Sequence, residues 1–187
     1  MSIPVILDTD IGLDVDDVWA LAYLLNCPEL EIKLITTCTG DTTYRAALVA
    51  RILEVAGRTD IPIGVGLTGE ASLKTHREWL GDYQLTDYPG LVHADGISAI
   101  AETILASEDT VTLIAIGPLT NVAAVLDHTP SIVENSKFVG MHGSLRIGYV
   151  GIAKAMREFN VAQDAAACQK VFAASWPKTI TPLDTCG

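Results

Sequence analysis

The segment Asp8-Thr9-Asp10-Ile11-Gly12-Leu13-Asp14-Val15-Asp16-Asp17 contains five carboxylates within ten residues. It follows an apolar run at residues 3–7 and precedes an apolar-periodic segment at residues 18–25. This order predicts a strand that ends in acidic residues, a glycine turn, and a helix that opens with two more acids. Carboxylates packed this closely stay ionised together when a cation neutralises them, and hard oxygen ligands favour Ca²⁺ or Mg²⁺. The segment therefore predicts a metal site.

The alternative interpretation of the same segment is helix capping. Asp14 and Asp16 would accept hydrogen bonds from backbone N–H groups, and Asp17 would interact with the helix dipole. Capping requires one or two acids, whereas this segment carries five. The excess of carboxylates favours the metal site.

Apolar runs alternate with helical periodicity along the rest of the chain. Strands are predicted at residues 4–7, 31–37, 61–65, 110–116, 137–141 and 178–183, and helices at residues 15–26, 42–56, 97–106, 119–126 and 162–174. Repeated βαβ units need crossover connections, which produce a parallel sheet covered by helices on both faces. We therefore expect an α/β fold with an open, doubly wound and mostly parallel sheet, in a single domain over residues 1–187.

Two stretches, residues 66–95 and 143–156, lack clean periodicity. Long irregular stretches in compact domains are usually functional, so each is a candidate lid or substrate-facing segment. In the first, His76, Trp79 and Tyr83 are typical either of a surface that stacks on a nucleobase or of an exposed amphipathic turn.

Composition limits the class of protein and its partners. The net charge of −11 and the isoelectric point near 4.6 disfavour nucleic acid and anionic membranes as partners. Hydrophobic residues make up 49% of the chain, and no apolar run reaches the roughly 20 residues of a bilayer span. The four cysteines form no CxxC pair. We expect a cytoplasmic globular protein with reduced thiols.

Polar residues follow five of the predicted strands. In an open parallel sheet, ligands bind outside the carboxyl ends of the strands. The polar strand ends are residues 8–10, 36–41, 116–121, 141–143 and 183–185. Their convergence on one edge predicts a binding pocket.

Three motifs together resemble the inosine-uridine preferring nucleoside hydrolase family. They are the acidic turn, the Gly117-Pro118-Leu119-Thr120-Asn121 turn, and Glu158-Phe159-Asn160 followed by Asp164-Ala165-Ala166. The acidic turn is the most specific, as a DTDIGxDxDD variant two residues longer than the commoner DxDPGxDD. The resemblance covers essentially the whole chain. It implies Ca²⁺-dependent hydrolysis of the N-glycosidic bond of ribonucleosides in purine or pyrimidine salvage, a nucleoside or riboside as small-molecule partner, and a homo-oligomer.

The resemblance also implies roles for individual residues. Asp10 and Asp17 would ligate one Ca²⁺ per chain together with the backbone carbonyl of Ile116, and Asp8 would support them. Asp10 would act as the catalytic base toward the attacking water, with an oxocarbenium-like transition state stabilised by surrounding carboxylates. The residues implied in substrate binding are Asp16, Asp41, His93, Glu158 and Asn160.

The chain departs from the family pattern at three places. Family members continue past the strand at residues 178–185, and that later part supplies a His that assists base departure and a further Asp ligand. This implies a carboxyl-terminally truncated domain and leaves open whether the chain alone is active. Gly151-Ile152 replaces a Gly-Asn pair that holds the sugar. Ile11 replaces Pro, and the two extra turn residues leave open whether Asp14 or Asp16 contacts the sugar.

Several other polar residues have both a structural and a functional interpretation. His142 is typical of a structural hydrogen-bonding residue at a strand end, or of a group that polarises the leaving base. Asp184 either caps a turn or supports the metal. Thr120 and Asn121 are expected to hold the turn after the fourth predicted strand. His128 suits a helix C-terminus.

Three functional hypotheses follow. The first is an N-ribosyl hydrolase, and the second is a relative that binds ribosides or other polyols with Ca²⁺ but lacks turnover. The third is a phosphate-processing α/β enzyme of the haloacid dehalogenase type, whose DxD motif also follows a first strand. It is disfavoured because the acidic segment continues into Asp14, Asp16 and Asp17 and because Glu-Phe-Asn has no role there.

Overall fold

The computed structural model describes residues 2–70 and 73–186. The strands within these residues are β1 (Ile3–Thr9), β2 (Leu30–Thr37), β3 (Ile63–Val65), β4 (Val92–His93), β5 (Val111–Ala115), β6 (Ser136–Gly140) and β7 (Lys178–Ile180). The helices there are α1 (Asp16–Leu25), α2 (Thr42–Val55), α3 (Arg77–Leu80), α4 (Gly96–Ala106), α5 (Thr120–His128), α6 (Phe159–Gln163), α7 (Ala165–Ala173) and α8 (Leu183–Cys186). In this part of the chain the seven strands form one parallel sheet in the order β4-β3-β2-β1-β5-β6-β7.

Helices cover both faces of the sheet. Along β1, Val5 and Leu7 belong to the apolar core that includes residues of α1 and α2, whereas Ile6 belongs to the core that includes residues of α4, α5 and α7. This alternation follows from the two-residue period of a strand. The predicted doubly wound α/β fold is confirmed.

The acidic turn lies next to the point where the topology changes direction. From β1 the chain adds β2, β3 and β4 on one side, and it then returns to add β5, β6 and β7 on the other. The loops that leave β1 and β5 therefore diverge toward opposite sides. In open α/β sheets the crevice between such loops is where ligands bind.

Three predicted elements need correction. The predicted helix at residues 162–174 is two helices, because Asp164 has a non-helical backbone (φ −149°, ψ 80°) and caps α7 by accepting a hydrogen bond from the Ala167 N–H at 2.9 Å. The predicted strand at residues 178–183 ends at Ile180, since Pro182 has no N–H for the ladder and α8 follows.

The stretch at residues 66–95 is more ordered than its sequence pattern suggested, which is the third correction. It contains α3, a 3₁₀ turn at Leu85–Asp87 and the short strand β4, while residues 71 and 72 lie outside the described part. Leu80 packs against Ala47 and Leu48 of α2. Thr75 donates from its backbone N–H and its hydroxyl to the Gly12 carbonyl, both at 3.1 Å. The stretch is thus attached to the acidic turn.

The longest helix among the described residues, α2, has 14 residues. None of the helices in residues 2–70 and 73–186 combines the length and apolar character needed to cross a membrane.

Candidate active site

A cavity of about 480 Å³ opens at the carboxyl ends of β1 and β5. The acidic turn and the start of α1 form one side, and the Glu158-Phe159-Asn160 segment forms the other. The lining residues are Asp10, Leu13, Asp14, Asp16, Asp17, Ala20, Ile116, Met141, Tyr149, Glu158, Phe159, Asn160 and Cys186. The structure therefore brings six of the predicted site residues together: Asp10, Asp16, Asp17, Ile116, Glu158 and Asn160.

The acids of the turn differ in burial. Asp8, Asp10 and Asp17 are 0%, 3% and 7% exposed, whereas Asp14 and Asp16 are exposed at the cavity rim. In the described part of the chain, α1 begins without a side-chain N-cap hydrogen bond. Capping therefore does not explain the buried acids.

Asp8 lies beneath the cavity and is held by two neighbouring elements. Its Oδ1 accepts hydrogen bonds from Thr36 Oγ1 at 2.6 Å and from Asn121 Nδ2 at 2.8 Å. Its Oδ2 is buried and has no hydrogen-bond partner among the described residues. Burial raises the pKa of Asp8 to about 6, against the lowering effect of the hydrogen bonds from Thr36 and Asn121 and of the nearby Cys38 thiol.

Asp10 and Asp17 lie in the cavity wall, and the pKa of each is raised above its usual value. Burial raises the pKa of Asp10 to about 7, against the lowering effect of the Arg45 guanidinium. Burial, followed by the charge of Asp10, raises the pKa of Asp17 well above its usual value. Thr9 Oγ1 donates a hydrogen bond to Asp17 Oδ1 and so links the end of β1 to α1.

The donor set fits a hard dication. Among the described residues, no three His, Cys, Asp or Glu side chains converge closely enough to hold a metal ion by themselves. The predicted set of Asp10, Asp17 and the Ile116 carbonyl contains only two carboxylates, and all of its donors are oxygen atoms, which suit Ca²⁺. A nearby positive charge would favour the ionised form of these buried acids, and the unpartnered Oδ2 of Asp8 points to the same need.

Glu158 and Asn160 connect the strand ends on the other side of the cavity. Glu158 caps α6: its carboxylate accepts from the N–H groups of Asn160 at 2.7 Å, Val161 at 3.0 Å and Gly143 at 2.9 Å. Asn160 Nδ2 donates to the carbonyls of Ile116 at 2.8 Å and Met141 at 3.0 Å. Asn160 therefore orients the backbone carbonyl that the family resemblance assigns to the metal.

Two predicted substrate-binding residues lie away from this cavity. Asp41 caps α2 by accepting from the Tyr44 N–H at 3.0 Å, and it pairs with Lys74 at 2.5 Å, which lowers its pKa. It lines a separate cavity of about 380 Å³. His93 ends β4 and is half-buried, and the neighbouring Asp95 caps α4. The structure does not bring Asp41 or His93 to the acidic cavity.

The remaining single residues have structural contacts. The buried His142 ring contacts the Gly117 carbonyl through Nε2 at 3.1 Å, and burial lowers its pKa. Asp184 accepts hydrogen bonds from the N–H groups of Leu145 and Arg146, both at 2.8 Å, and so anchors the loop after β6. Asn121 does more than hold its turn, because it also binds Asp8.

Sequence reasoning missed two residues at the site. Tyr149 lines the cavity, and its hydroxyl oxygen accepts a hydrogen bond from the Phe159 N–H at 2.8 Å. Arg45 is buried beneath the acidic turn. Arg45 and Arg51 both flank the apolar residues 46–50 of a predicted helix, so the sequence did not show which of them is buried. Tyr149 lies in an irregular loop that offers no periodic pattern.

Together these features define an α/β protein with a cavity bordered by acidic residues at the topological switch point of its sheet. A sequence profile of the family described as inosine-uridine preferring nucleoside hydrolase matches residues 5–187. The chain belongs to this family, and the resemblance drawn from its motifs is confirmed.

Several proteins that the chain resembles are nucleoside hydrolases by name. The chain is 31% identical to the pyrimidine-specific ribonucleoside hydrolase RihA of Escherichia coli O127:H6, over 98% of this chain and 61% of that protein. Among solved structures, it resembles a purine-preferring ribonucleoside hydrolase from Gardnerella vaginalis (TM-score 0.79, 28% identity, 97% of this chain and 61% of that chain). An inosine-uridine preferring nucleoside hydrolase from Bacillus anthracis shares the fold (TM-score 0.81, 21% identity, 98% and 65%). The chain thus spans 61% of the length of the curated relative.

Proposed function

We propose that this chain carries the Ca²⁺- and ribose-binding part of an N-ribosyl hydrolase, which cleaves the N-glycosidic bond of ribonucleosides into ribose and a nucleobase. The observation that carries the proposal is the placement of two buried carboxylates, Asp10 and Asp17, in one cavity with the Ile116 carbonyl and Glu158. The names of the relatives agree on ribonucleosides and differ on the base. The proposal therefore specifies the sugar and leaves the base open.

The chemistry follows from the acids that line the cavity. When bound, Ca²⁺ would keep the buried carboxylates ionised and would orient a water and the two vicinal ribose hydroxyls. Asp10 takes a proton from the attacking water while the water oxygen forms a bond to the anomeric carbon. The C–N bond breaks, and its electron pair leaves with the nucleobase. The carboxylates stabilise the positive charge that develops on the sugar.

Residues on both sides of the cavity would hold the sugar. Asp16, exposed at the rim, accepts a hydrogen bond from one ribose hydroxyl, and Glu158 on the opposite wall accepts one from another. Asn160 uses Nδ2 for the Ile116 and Met141 carbonyls, which leaves Oδ1 to accept from a hydroxyl. Contacts from Asp41 and His93 stay predictions, because they require a ligand that extends beyond the acidic cavity. Salvage and a homo-oligomeric state also stay predictions based on family membership, and a cytoplasmic location stays a prediction based on composition.

The alternative is riboside binding without turnover. One observation favours it: none of the described residues that line the acidic cavity is a histidine. The nearby His142 is buried and directed at the Gly117 carbonyl. We therefore do not assign protonation of the leaving base to a histidine of the described residues.

Calorimetry and a ribose assay test the proposal. We expect one Ca²⁺ to bind per chain, and the change Asp10→Asn to weaken binding at least about tenfold, because it removes a buried charged ligand. Asp127→Asn is the matched control, since Asp127 is an exposed acid paired with Lys170 on the surface. Ribose release from uridine or inosine that depends on Asp10 supports the hydrolase.

The possible results separate the hypotheses. Ca²⁺ and riboside binding without ribose release supports the binding relative. If Ca²⁺ produces neither heat nor a rise in Tm, the metal part is wrong. If Asp10→Asn releases ribose as fast as the unmodified chain, Asp10 is not the base.

A further inference from the structure

Arg45 is a buried cation directly beneath the acidic turn. It lies in the first half of α2, and its side chain is 1% exposed. Burying a guanidinium is unfavourable unless its N–H donors find acceptors. The hydrogen bonds of Arg45 therefore indicate its structural role.

Arg45 donates its hydrogen bonds to backbone carbonyls of two different segments. Its Nε donates to the Thr39 carbonyl at 2.7 Å, in the loop after β2. Its Nη1 donates to the Ile11 carbonyl at 2.8 Å and also to the Asp10 carbonyl. A planar guanidinium with donors in fixed directions can bridge two segments in this way, whereas an ammonium presents only a point charge.

The backbone that Arg45 holds is unusual on both sides. Thr39 is a β-branched residue with a φ of +54°, in the left-handed region that such residues rarely adopt. Gly12 has a φ of +96°, and an added Cβ there would lie 2.5 Å from Leu48 Cδ1 of α2. The acidic turn thus rests closely on α2.

Thr75 completes the support of the turn from a third segment. Its hydroxyl lies 3.1 Å from the Gly12 carbonyl and 3.2 Å from the Leu13 carbonyl. Arg45 and Thr75 therefore engage four consecutive carbonyls, from Asp10 to Leu13. With its backbone fixed by these bonds, the turn presents the Asp10 side chain to the cavity.

We infer that Arg45 is a positioning residue that holds the acidic turn in the geometry in which Asp10 and Asp17 bind a divalent cation. This inference rests on the proposed function, because it concerns the same cation site. It is separate from the role of the acids themselves. Arg45 is not among the residues that line the acidic cavity, and it acts through the backbone of Asp10, which does line it.

Arg45→Lys distinguishes positioning from charge. Lysine keeps the positive charge, which lowers the pKa of Asp10, but it lacks the planar fork of donors that can bridge two segments. Groups that orient the ligands of a metal typically contribute about 10- to 100-fold to its affinity.

The experiment compares Arg45→Met and Arg45→Lys with Arg51→Met in the full chain. Arg51 is a matched control on the same helix, where it is partly exposed and pairs with Glu54 at 3.2 Å. We expect both Arg45 variants to weaken Ca²⁺ binding, measured by calorimetry, by about 10- to 100-fold. Arg51→Met should leave the affinity unchanged. Unchanged or tighter binding by Arg45→Met, or full rescue by Arg45→Lys, would overturn the inference.

Two measurements on metal-free protein keep the inference testable if a variant fails to fold or if the chain binds no Ca²⁺. In the unmodified chain labelled with ¹⁵N-arginine, the Arg45 guanidinium protons should exchange slowly and give separate NMR signals, whereas those of Arg51 should be averaged. In Arg45→Lys, amide exchange at residues 9–17 should accelerate relative to the rest of the chain. Averaged Arg45 signals, or unchanged exchange, would count against positioning. If Ca²⁺ does not bind but both the separate Arg45 signals and the faster amide exchange are seen, the proposed function is wrong and the positioning role of Arg45 stands.

Discussion

The buried acids make the metal-free protein sensitive to pH at the scale of single residues. Burial raises the pKa of Asp8 to about 6 and that of Asp10 to about 7. In the unfolded chain an Asp titrates near pH 3.9. Between roughly pH 4 and pH 7 the folded state therefore binds more protons than the unfolded state, and the free energy of unfolding falls as the pH rises.

We predict that the Tm of the protein in EGTA falls between pH 5 and pH 8. The raised pKa of Asp8 alone changes the free energy of unfolding by about 3 kcal/mol across the full titration of that residue. Ca²⁺ should raise the Tm more at pH 8 than at pH 5, because protons compete with the cation for the same oxygen atoms. Differential scanning calorimetry at the two pH values measures both effects. A Tm that climbs with pH in EGTA would contradict the assigned direction of these shifts.

A second prediction concerns Asn121, which links Asp8 to the rest of the site. Asn121→Ala removes a donor to Asp8 and the acceptor of the Leu67 N–H at 2.8 Å. We expect it to lower the free energy of unfolding by about 2–4 kcal/mol, since each buried group left unpaired costs about 1–3 kcal/mol. Urea unfolding measures this change, and calorimetry should show weaker Ca²⁺ binding.

The control for Asn121 is Asn135→Ala. Like Asn121, Asn135 donates two hydrogen bonds, but its acceptors are the backbone carbonyls of Ile104 and Ser107, at the opposite side of the fold from the acids. Its loss should reduce stability and leave Ca²⁺ affinity unchanged. Equal effects of the two variants on Ca²⁺ would show that Asn121 has no particular connection to the site.

The acids of the site were more predictable than the residues that hold them in place. Asp8, Asp10 and Asp17 are neighbours in sequence, so their clustering is visible in the sequence. Asn121 lies 113 positions from Asp8, and Arg45 lies 35 positions from Asp10. Contacts over such separations depend on how strands and helices pack, which local spacing does not encode.

At the scale of elements, an acidic residue just before a helix can either bind a ligand or cap the helix, and a sequence motif does not separate the two roles. Asp41, which was predicted to contact substrate, caps α2 outside the acidic cavity, whereas Glu158 caps α6 and also lines that cavity. A short acidic side chain before a helix suits both roles, because each uses carboxylate oxygens as acceptors. Only the position of the helix start relative to the cavity distinguishes them.

The turn between β5 and α5 leads to a third prediction. A Cβ added at Gly117 would lie 2.6 Å from Cys38 Sγ, 2.8 Å from Asp10 Oδ1 and 2.9 Å from the Asp10 nitrogen. Gly117→Ala should therefore displace Asp10, lower the free energy of unfolding by about 1–3 kcal/mol and weaken Ca²⁺ binding. Chemical denaturation and calorimetry measure the two effects.

Gly57→Ala is the matched control for the glycine at that turn. Gly57 has a φ of +68°, and nothing lies within 4 Å of an added Cβ. The cost there is backbone strain of about 1–2 kcal/mol, without an effect on the cation. Normal Ca²⁺ affinity in Gly117→Ala would mean that the β5–α5 turn tolerates the methyl group and does not constrain Asp10.

At the scale of the whole molecule, the α/β class was predictable and the details of the sheet were not. Long apolar strands and amphipathic helices alternate clearly enough to predict parallel βαβ units. The strand β4 has only two residues, which is too short to show a period, and Asp164 interrupts the predicted helix at residues 162–174. The order of the strands depends on long-range pairing and was not predicted.

The central place of β1 in the sheet affects how the chain emerges from the ribosome. One edge of β1 pairs with β2, which is made soon afterwards, but the other edge waits for β5. Roughly 100 residues separate these two strands, and translation needs about 5–20 s to add them. During this interval the nascent chain carries a bare strand edge that other chains can bind. Slower translation before residue 111 should therefore lengthen the period in which chaperones have to shield the growing polypeptide.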